Sequence, residues 1–561
     1  MTAGMLAVSA GCQRDPFAID QRLDRLITDR SASLGGNPVP ASLNKTLPGK
    51  VTADSRSTRP ATLNVGANEL TFVAADEQRD VESRLEAYAA QAGAIVSEGP
   101  STLPTLTLSE SLRASQVTGR EYLTAEEDYL LVAIRLLQER HLWGPRFFND
   151  TTATIRGDGD QGDFSNALDV INRLRVAQRL PYGGTVEAEA LVSATDQLRD
   201  EATGSYVQSS ELALRADIPL LRGAGMVARE DLIQAERNMV YAARDFERFR
   251  RSYFVDVAST YFDLLQIRAR IGNQQRQLAS LLSLQRQTVA QVDAGRREAF
   301  ERDNAENRVR QAESDLAQLR ESFILALDRY KIRLGLPKDL AFDLSTELID
   351  PPDPETTLDE ATRIALEYRL DLQNVRDRVE DTRRALANAE NNLLPDLNLG
   401  GRVAIPTDPS DLTGGLAIDP DETEYSASAT LGLPLDRETE RLGRRAAIVQ
   451  MQRAMRRYEQ TRDEIAVSVR AALRAVENAR LQLRLADEQV RINLKRKRGL
   501  ELKRDTVDTQ SFIDADNDLL SAENQRDRAQ TQLRNAVLQY LLESDQLRVR
   551  ADGTFEPLPG M

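Results

Sequence analysis

The sequence predicts a mainly α-helical protein with a small β part, in which long coiled-coil helical hairpins are joined to four β-strands and the whole is internally duplicated. Three observations carry that fold class. Four short stretches alternate apolar and polar residues, two long proline-free spans show coiled-coil spacing, and residues recur at fixed offsets along the chain.

In the first half, Val186, Ala188, Ala190, Val192 and Ala194 alternate with Thr185, Glu187, Glu189 and Ser193, Leu191 being the exception. From Glu211 the faces are Leu212, Leu214, Ala216, Ile218 and Leu220 against Glu211, Arg215 and Asp217. Successive side chains of a strand point to opposite sides, so these patterns predict strands at about 184–195 and 206–220. No proline lies between Pro219 and Pro337. That span predicts a helical hairpin over 226–336, with Val257, Tyr261, Leu264, Ile271, Leu278, Leu282, Val289 and Val292 on the outgoing seam. Ala305, Val309, Ala312, Leu316, Leu319, Phe323, Ala326 and Tyr330 form the returning seam, and Gly295 supplies the left-handed turn between the helices.

The second half repeats this order. Leu397, Leu399, Gly401, Val403 and Ile405 oppose Asp396, Asn398 and Arg402; Tyr425, Ala427, Ala429, Leu431, Leu433 and Leu435 oppose Glu424, Ser426, Ser428 and Thr430. Strands follow at about 395–406 and 423–435. A second proline-free span predicts a hairpin over 437–543, with a seam through Val469, Leu473, Val476, Leu483, Val490 and Leu494 and a second apolar row at Leu481, Leu485 and Ile492. Two rows on one helix mean two neighbours, which suits a curved wall of helices around a water-filled bore.

The duplication rests on residue matches. Leu108, Glu110, Arg113 and Pro145 recur at an offset of 250 as Leu358, Glu360, Arg363 and Pro395; Pro219 recurs at 215 as Pro434; Ala305, Ala312, Glu313 and Tyr330 recur at 210 as Ala515, Ala522, Glu523 and Tyr540. Residues 105–340 and 355–545 are thus two repeats, with 546–561 a tail. The drop in offset places about 35 extra residues in the first repeat after Pro145, across the Gly-Asp-rich Gly157–Asp163 and the apolar run Ala167–Val176.

Four short motifs recur in a fixed order: Leu358-Asp359-Glu360-Ala361, Leu394-Pro395-Asp396-Leu397, Leu433-Pro434-Leu435-Asp436 and, at the helical turn, Val292-Asp293-Ala294-Gly295. With them, Leu106 to Leu542 resembles the TolC-like outer membrane factors, the exit ducts of bacterial tripartite efflux pumps and type I secretion systems. Each strand has about the length that a tilted strand needs to cross a bilayer. Four strands cannot close a channel, and an open edge in hydrocarbon leaves backbone groups unpaired, so sister copies must complete the barrel. The resemblance implies a homotrimer with a shared 12-strand β-barrel in outer membrane lipid. It also implies an α-barrel in the periplasm, and as partners a periplasmic adaptor and an inner membrane transporter.

Composition agrees with crossing by strands alone. The chain is 41% hydrophobic and 29% charged and has no run of 18 apolar residues, so no helical span is expected. Its net charge of −15 argues against nucleic acid as a partner. The lone cysteine, Cys12 in Leu6-Ala7-Val8-Ser9-Ala10-Gly11-Cys12, resembles a bacterial lipobox; residues 1–12 then read as the remnant of a lipoprotein signal, with lipidation at Cys12. Residues 13–104 are rich in Pro, Gly, Ser and Thr after one helical stretch and read as an extension or linker.

Catalysis, cofactors and metal binding are not expected. There is no phosphate loop and no metal-ligand cluster, and the only histidine, His141, ends a helix. What remains is a passive conduit. In the family, carboxylates at the helical turns ring the closed end, and aligning the two turns puts that position on Asp514, with Ser511 where its acidic companion would stand. Asp508, Glu301 and Asp303 are the further gate candidates. Gly295, Arg296, Arg297, Asp505 and Thr506 are the candidate docking residues at the tips. The alternative is a soluble coiled-coil scaffold or a periplasmic adaptor, which need not show two strand pairs bracketed by helices.

Overall fold

A computed structural model describes residues 105–160, 163–197, 207–345, 357–407, 420–503, 507–550 and 555–557. Cys12, the extension 13–104, Asp505 and Thr506 lie outside the described residues. The structure is mainly helical. Two helices, α1 (Leu108–Thr118) and α2 (Arg120–Leu142), precede four strands, β2 (Arg146–Asp160), β3 (Asp163–Arg179), β4 (Thr185–Gln197) and β5 (Val207–Pro219). The long α3 (Glu230–Asp293) and shorter α4 (Ala299–Leu334) follow. The order then recurs with α5 (Leu358–Tyr368), α6 (Leu370–Asn391), β7 (Asp396–Pro406), β8 (Glu424–Gly432), α7 (Glu438–Leu502) and α8 (Thr509–Glu543). Short strands β1 (Thr105–Leu106) and β6 (Asp343–Leu344) pair in parallel, while β9 (Leu547–Val549) and β10 (Phe555–Pro557) pair antiparallel.

The chain forms two compact units that interleave its halves. One comprises the described parts of Met1–Tyr129, Ala243–Gln373 and Gln460–Met561; the other comprises Leu130–Ala242 and Asn374–Glu459.

The first unit is held by an aromatic core and a buried ionic cluster. Tyr122, Tyr253, Phe254, Tyr261 and Tyr330 are almost wholly buried. Tyr122 meets Phe246 edge-on at 5.9 Å, and Tyr261 lies 6.3 Å from Tyr330. The Tyr261 hydroxyl donates to the carbonyls of Leu106 (3.1 Å) and Ser345 (2.7 Å), which pins β1 to β6. Thr107 caps α1 in a capping box with Glu110. Around the end of α8, Arg251 bonds Asp545 at 2.8 Å and Glu247 at 2.9 Å, and Arg369 bonds Asp371 and Glu543, each at 2.7 Å. Burial pushes the Asp371 carboxyl up, but hydrogen bonds from Arg369 and the charge of Arg248 outweigh it and hold the group below the usual carboxylate range.

The hairpin seams are less apolar than their spacing suggests. Leu281, Val309, Ala312 and Ile513 form one buried cluster, and Val490, Leu519 and Ala522 form another. Between and beside them Asn273, Gln274, Gln277 and Asp527 are buried. Asn273 donates to Asp527 (2.9 Å) and Gln277 to Asn517 (2.8 Å), so α3 is tied to α8 by hydrogen bonds. Leu481, Leu485 and Ile492, the second apolar row of α7, are exposed.

The second unit contains a six-stranded antiparallel sheet in the order β2-β3-β4-β5-β7-β8. The four strands expected per protomer are therefore corrected to six, and the extra residues after Pro145 are strands. Their pattern is concealed by Asn149, Thr151 and Asn172, polar residues on an otherwise apolar face. Asn172 donates to Asn149 (3.0 Å) and Thr151 (2.7 Å), a satisfaction across β2 and β3 that neither strand shows alone. Strand β8 stops at Gly432, short of Leu435, because its partner β7 begins at Asp396, after Pro395, which has no N–H to offer. The β3–β4 turn is tight. Gly183 and Gly184 both have positive φ, and a Cβ at Gly184 would stand 1.9 Å from the Asp217 carbonyl oxygen. Helices of this unit are joined by Arg140–Glu236 (2.8 Å), Tyr241–Asp381 (2.6 Å) and Arg237–Asp381.

Glycines 335 and 223 separate two effects. Both have positive φ, but a Cβ at Gly335 would lie 1.8 Å from the Thr118 carbonyl oxygen, whereas none at Gly223 meets anything within 4 Å. Gly335→Ala is expected to cost about 3 kcal/mol or more and Gly223→Ala about 1 kcal/mol, read from guanidinium unfolding followed by circular dichroism. Equal losses would show that the close approach to Thr118 does not matter.

Candidate functional site

Two parts of the molecule carry geometry beyond what packing requires, the two-faced sheet and the helical tips. Residues directly opposite in an antiparallel pair project to the same side. One row across the sheet reads Phe147, Val176, Ala188, Leu214, Val403, Tyr425. The adjacent row reads Arg146, Ala177, Glu187, Arg215, Arg402, Ser426. Alternate residues continue both faces along every strand, so a single apolar face covers all six. Its side chains are exposed: Phe147 by 68%, Leu214 by 50% and Tyr425 by 85%. A soluble sheet buries such a face, and no helix of the described residues is long and apolar enough to cross a membrane.

Several charges of the polar face are engaged. Arg173 meets Glu189 at 2.7 Å, Arg402 bonds Glu211, and the Arg175 guanidinium lies 4.9 Å from the Phe148 ring centroid. Among the described residues only β3 neighbours β2 and only β7 neighbours β8, so each outer strand has one edge without a partner there.

At the tip of the first hairpin, α3 ends in Gly295 at φ +69°, with the N–H of Arg296 bonded to the Gln291 carbonyl at 2.8 Å. Arg296 is exposed, whereas Arg297 turns inward. The Arg297 guanidinium donates to Glu301 (2.5 Å), the Thr509 hydroxyl (2.6 Å) and the Val507 carbonyl (2.8 Å). Thr509 in turn donates to Glu301 at 2.5 Å. A strut therefore joins the start of α4 to the start of α8. Burial raises the Glu301 carboxyl, but the Thr509 hydroxyl and the Arg297 charge prevail and hold it below the usual carboxylate range.

The other gate candidates are not brought together. Asp303 lies beside Arg302 at 3.5 Å, Asp508 accepts from Ser511, and Asp514 accepts from Gln510 at 2.8 Å; all three are exposed. Sequence reasoning missed Asp516. It is buried, pairs with Lys497 of α7 at 2.7 Å and accepts from Ser280 of α3 at 2.7 Å, which locks three helices together. Among Asp508, Asp514, Asp516 and Asp518, nothing in the spacing marks it out. Among the described residues there is no cluster of His, Cys, Asp and Glu suited to a metal ion.

Residues 362–538, from α5 to α8, match the family model of the outer membrane efflux proteins. The outer membrane channel OprN is similar in fold, with a TM-score of 0.60 and 16% identity over 78% of this chain and 89% of that one. Residues 362–538 thus resemble the outer membrane efflux proteins in sequence, and the chain resembles outer membrane channels in fold. The CmeC outer membrane channel of Campylobacter jejuni gives a TM-score of 0.60 and 14% identity, with coverage of 81% and 91%. The open state of the MtrE channel of Neisseria gonorrhoeae gives 0.57 and 16%, with coverage of 78% and 88%. No curated protein matches by sequence. The residues matched by the family model include β7 and β8 and stop short of β2 to β5.

The strut makes the tip sensitive to acid. Because the folded-state value of Glu301 is depressed, its contribution is complete above the ordinary carboxylate range and is lost as pH falls through the folded value. Exchange of amides in 297–301 and 507–511, corrected for intrinsic rates, is expected to accelerate only below the ordinary carboxylate range. Glu301→Gln should accelerate it about fivefold at neutral pH, ~1 kcal/mol of local stability, and flatten its pH dependence. Unchanged exchange in the variant would mean that the strut holds nothing.

Proposed function

We propose that this chain is an outer membrane exit duct: a homotrimer that passively conducts cargo delivered by an inner membrane transporter through a periplasmic adaptor. The observation that carries this reading is the exposed apolar face of a sheet with two open edges. In hydrocarbon each open edge would leave N–H and C=O groups unsatisfied, at several kcal/mol apiece, and edge-to-edge joining of copies removes that penalty. The exposed row of α7 supports the same conclusion, since Leu481, Leu485 and Ile492 then find a neighbour in the next copy. Matching helix lengths, 64 and 36 residues in the first hairpin and 65 and 35 in the second, support an ancient duplication that gives each copy two alike wall segments. A soluble scaffold or adaptor offers no reason for the apolar face.

At the tips, Asp303, Asp508 and Asp514 are the acids free to ring the axis, while Glu301 serves the strut. Like charges gathered on a threefold axis repel one another and attract cations, so closure stores energy that opening releases. Gly295 and Arg296, with Asp505 and Thr506 of the second turn, form the adaptor's docking surface. Arg297 contributes by holding the Val507 carbonyl and the Thr509 hydroxyl. Acylation at Cys12 adds an anchor in the outer membrane.

In membrane fractions the native chain is expected as a heat-modifiable trimer. Leu214→Arg, at about 2–4 kcal/mol for a charge facing the bilayer centre, should sharply reduce that trimer, whereas Arg215→Leu on the opposite face should leave most of it. A purely soluble monomer would reject the duct. In planar bilayers, Asp514→Ala should weaken block by divalent cations; identical traces would remove Asp514 from the gate.

A further inference from the structure

We propose that the β3–β4 hairpin is part of the barrel wall, so that each copy contributes six strands and the trimer closes an eighteen-stranded barrel around a wide bore. The inference rests on the trimeric reading above for its threefold count, and on the sheet alone for the six strands per copy.

Strands β3 and β4 are paired along their length on both sides. Strand β2 is in register with β3 from Arg146 to Asp160, β3 with β4 from Ala167 to Arg179, and β4 with β5 from Thr185 to Thr195. A hairpin folded away as a plug or flap would leave β2 and β5 to pair with each other, and they do not. The inserted strands also keep the two faces. Leu174 and Val176 of β3 and Ala188 and Ala190 of β4 continue the apolar side, while Arg173 and Glu189 pair on the polar side at 2.7 Å. A plug in an aqueous lumen has no use for one continuous apolar side.

Closure imposes a parity condition, and six satisfies it. With an even number of antiparallel strands the outer strands β2 and β8 run in opposite directions, so β8 of one copy can pair antiparallel with β2 of the next. The insertion is also modular. Strands β2 and β4 run the same way and stand at one level, Phe147 and Ala188 both opposing Val176. Removing β3 and β4 would therefore deliver β2 to the place of β4 with its faces unchanged, as an added hairpin requires.

The consequence is geometric. Strands about 4.8 Å apart and tilted about 40° give a backbone diameter of roughly 24 Å for twelve strands and roughly 36 Å for eighteen. Allowing about 5 Å for side chains on each side, the bore widens from about 14 Å to about 26 Å, roughly three times the cross-section. Bulky hydrophilic cargo would pass the membrane section of this duct where a twelve-stranded section would retain it.

Electron microscopy of the full chain in lipid nanodiscs tests this directly. Six strands per copy in the wall are expected; four per copy, with 163–197 outside the wall, would overturn the proposal. Six strands per copy in a ring of other than three copies would overturn the trimer, and with it the count of eighteen, but not the larger share of each copy. Fluorescence gives a second test without a solved structure. Trp143 is the only tryptophan, so in a Trp143→Phe background Leu174→Trp should be quenched severalfold by brominated phospholipid and little by iodide, with Arg175→Trp showing the reverse. Iodide quenching of both would place β3 in water and end the proposal.

Discussion

Backbone hydrogen bonding in a medium without water is the constraint on which this structure turns. A strand in hydrocarbon must have partners on both edges, and a sheet that is apolar on one face cannot escape the problem by staying in water. The six strands pair through β2-β3-β4-β5-β7-β8, and among the described residues the outer edges of β2 and β8 have no partner strand. In the proposed duct, oligomerisation follows from chemistry at the sheet edge rather than from a specialised docking patch, and any change in strand number alters the whole assembly.

The helices solve a different problem by different means. Around a water-filled bore they need not be dry, and their contacts mix small apolar clusters with polar links such as Asn273–Asp527, Gln277–Asn517 and Lys497–Asp516. Hydrogen bonds of this kind demand alignment that Leu–Leu packing does not, so they fix register between α3, α7 and α8. They also leave less apolar area to oppose displacement of one helix past another. Wholly apolar seams would slide in register, whereas these hydrogen-bonded contacts hold it.

How far the sequence revealed this depended on whether a contact is local. Strands β4, β5, β7 and β8 could be read because alternation is complete within each one. Strands β2 and β3 could not, because Asn149, Thr151 and Asn172 interrupt the apolar side and are satisfied only by each other. The tip shows the same division. Arg297 and Glu301 stand at i and i+4, a spacing that announces a pair, but Thr509, which completes the strut, comes from the other hairpin. The clean alternation of β4, β5, β7 and β8 gives the expected number of four strands, and the family resemblance agrees with that number.

That last point bears on how such ducts diverge. A β-hairpin is the smallest unit that can be added to an antiparallel barrel without reversing the direction of an outer strand. Here it enters between β2 and β5, away from both outer edges, so the surfaces through which copies meet are left as they were. The added strands bring their own charge pair, Arg173–Glu189, and join their neighbours through Asn172 of β3 to Asn149 and Thr151 of β2 and through Ser193 of β4 to Ser209 of β5. In the proposed duct the bore therefore widens without changing the residues of the tip, because the strut at Arg297 and Glu301 belongs to a different compact unit from the sheet.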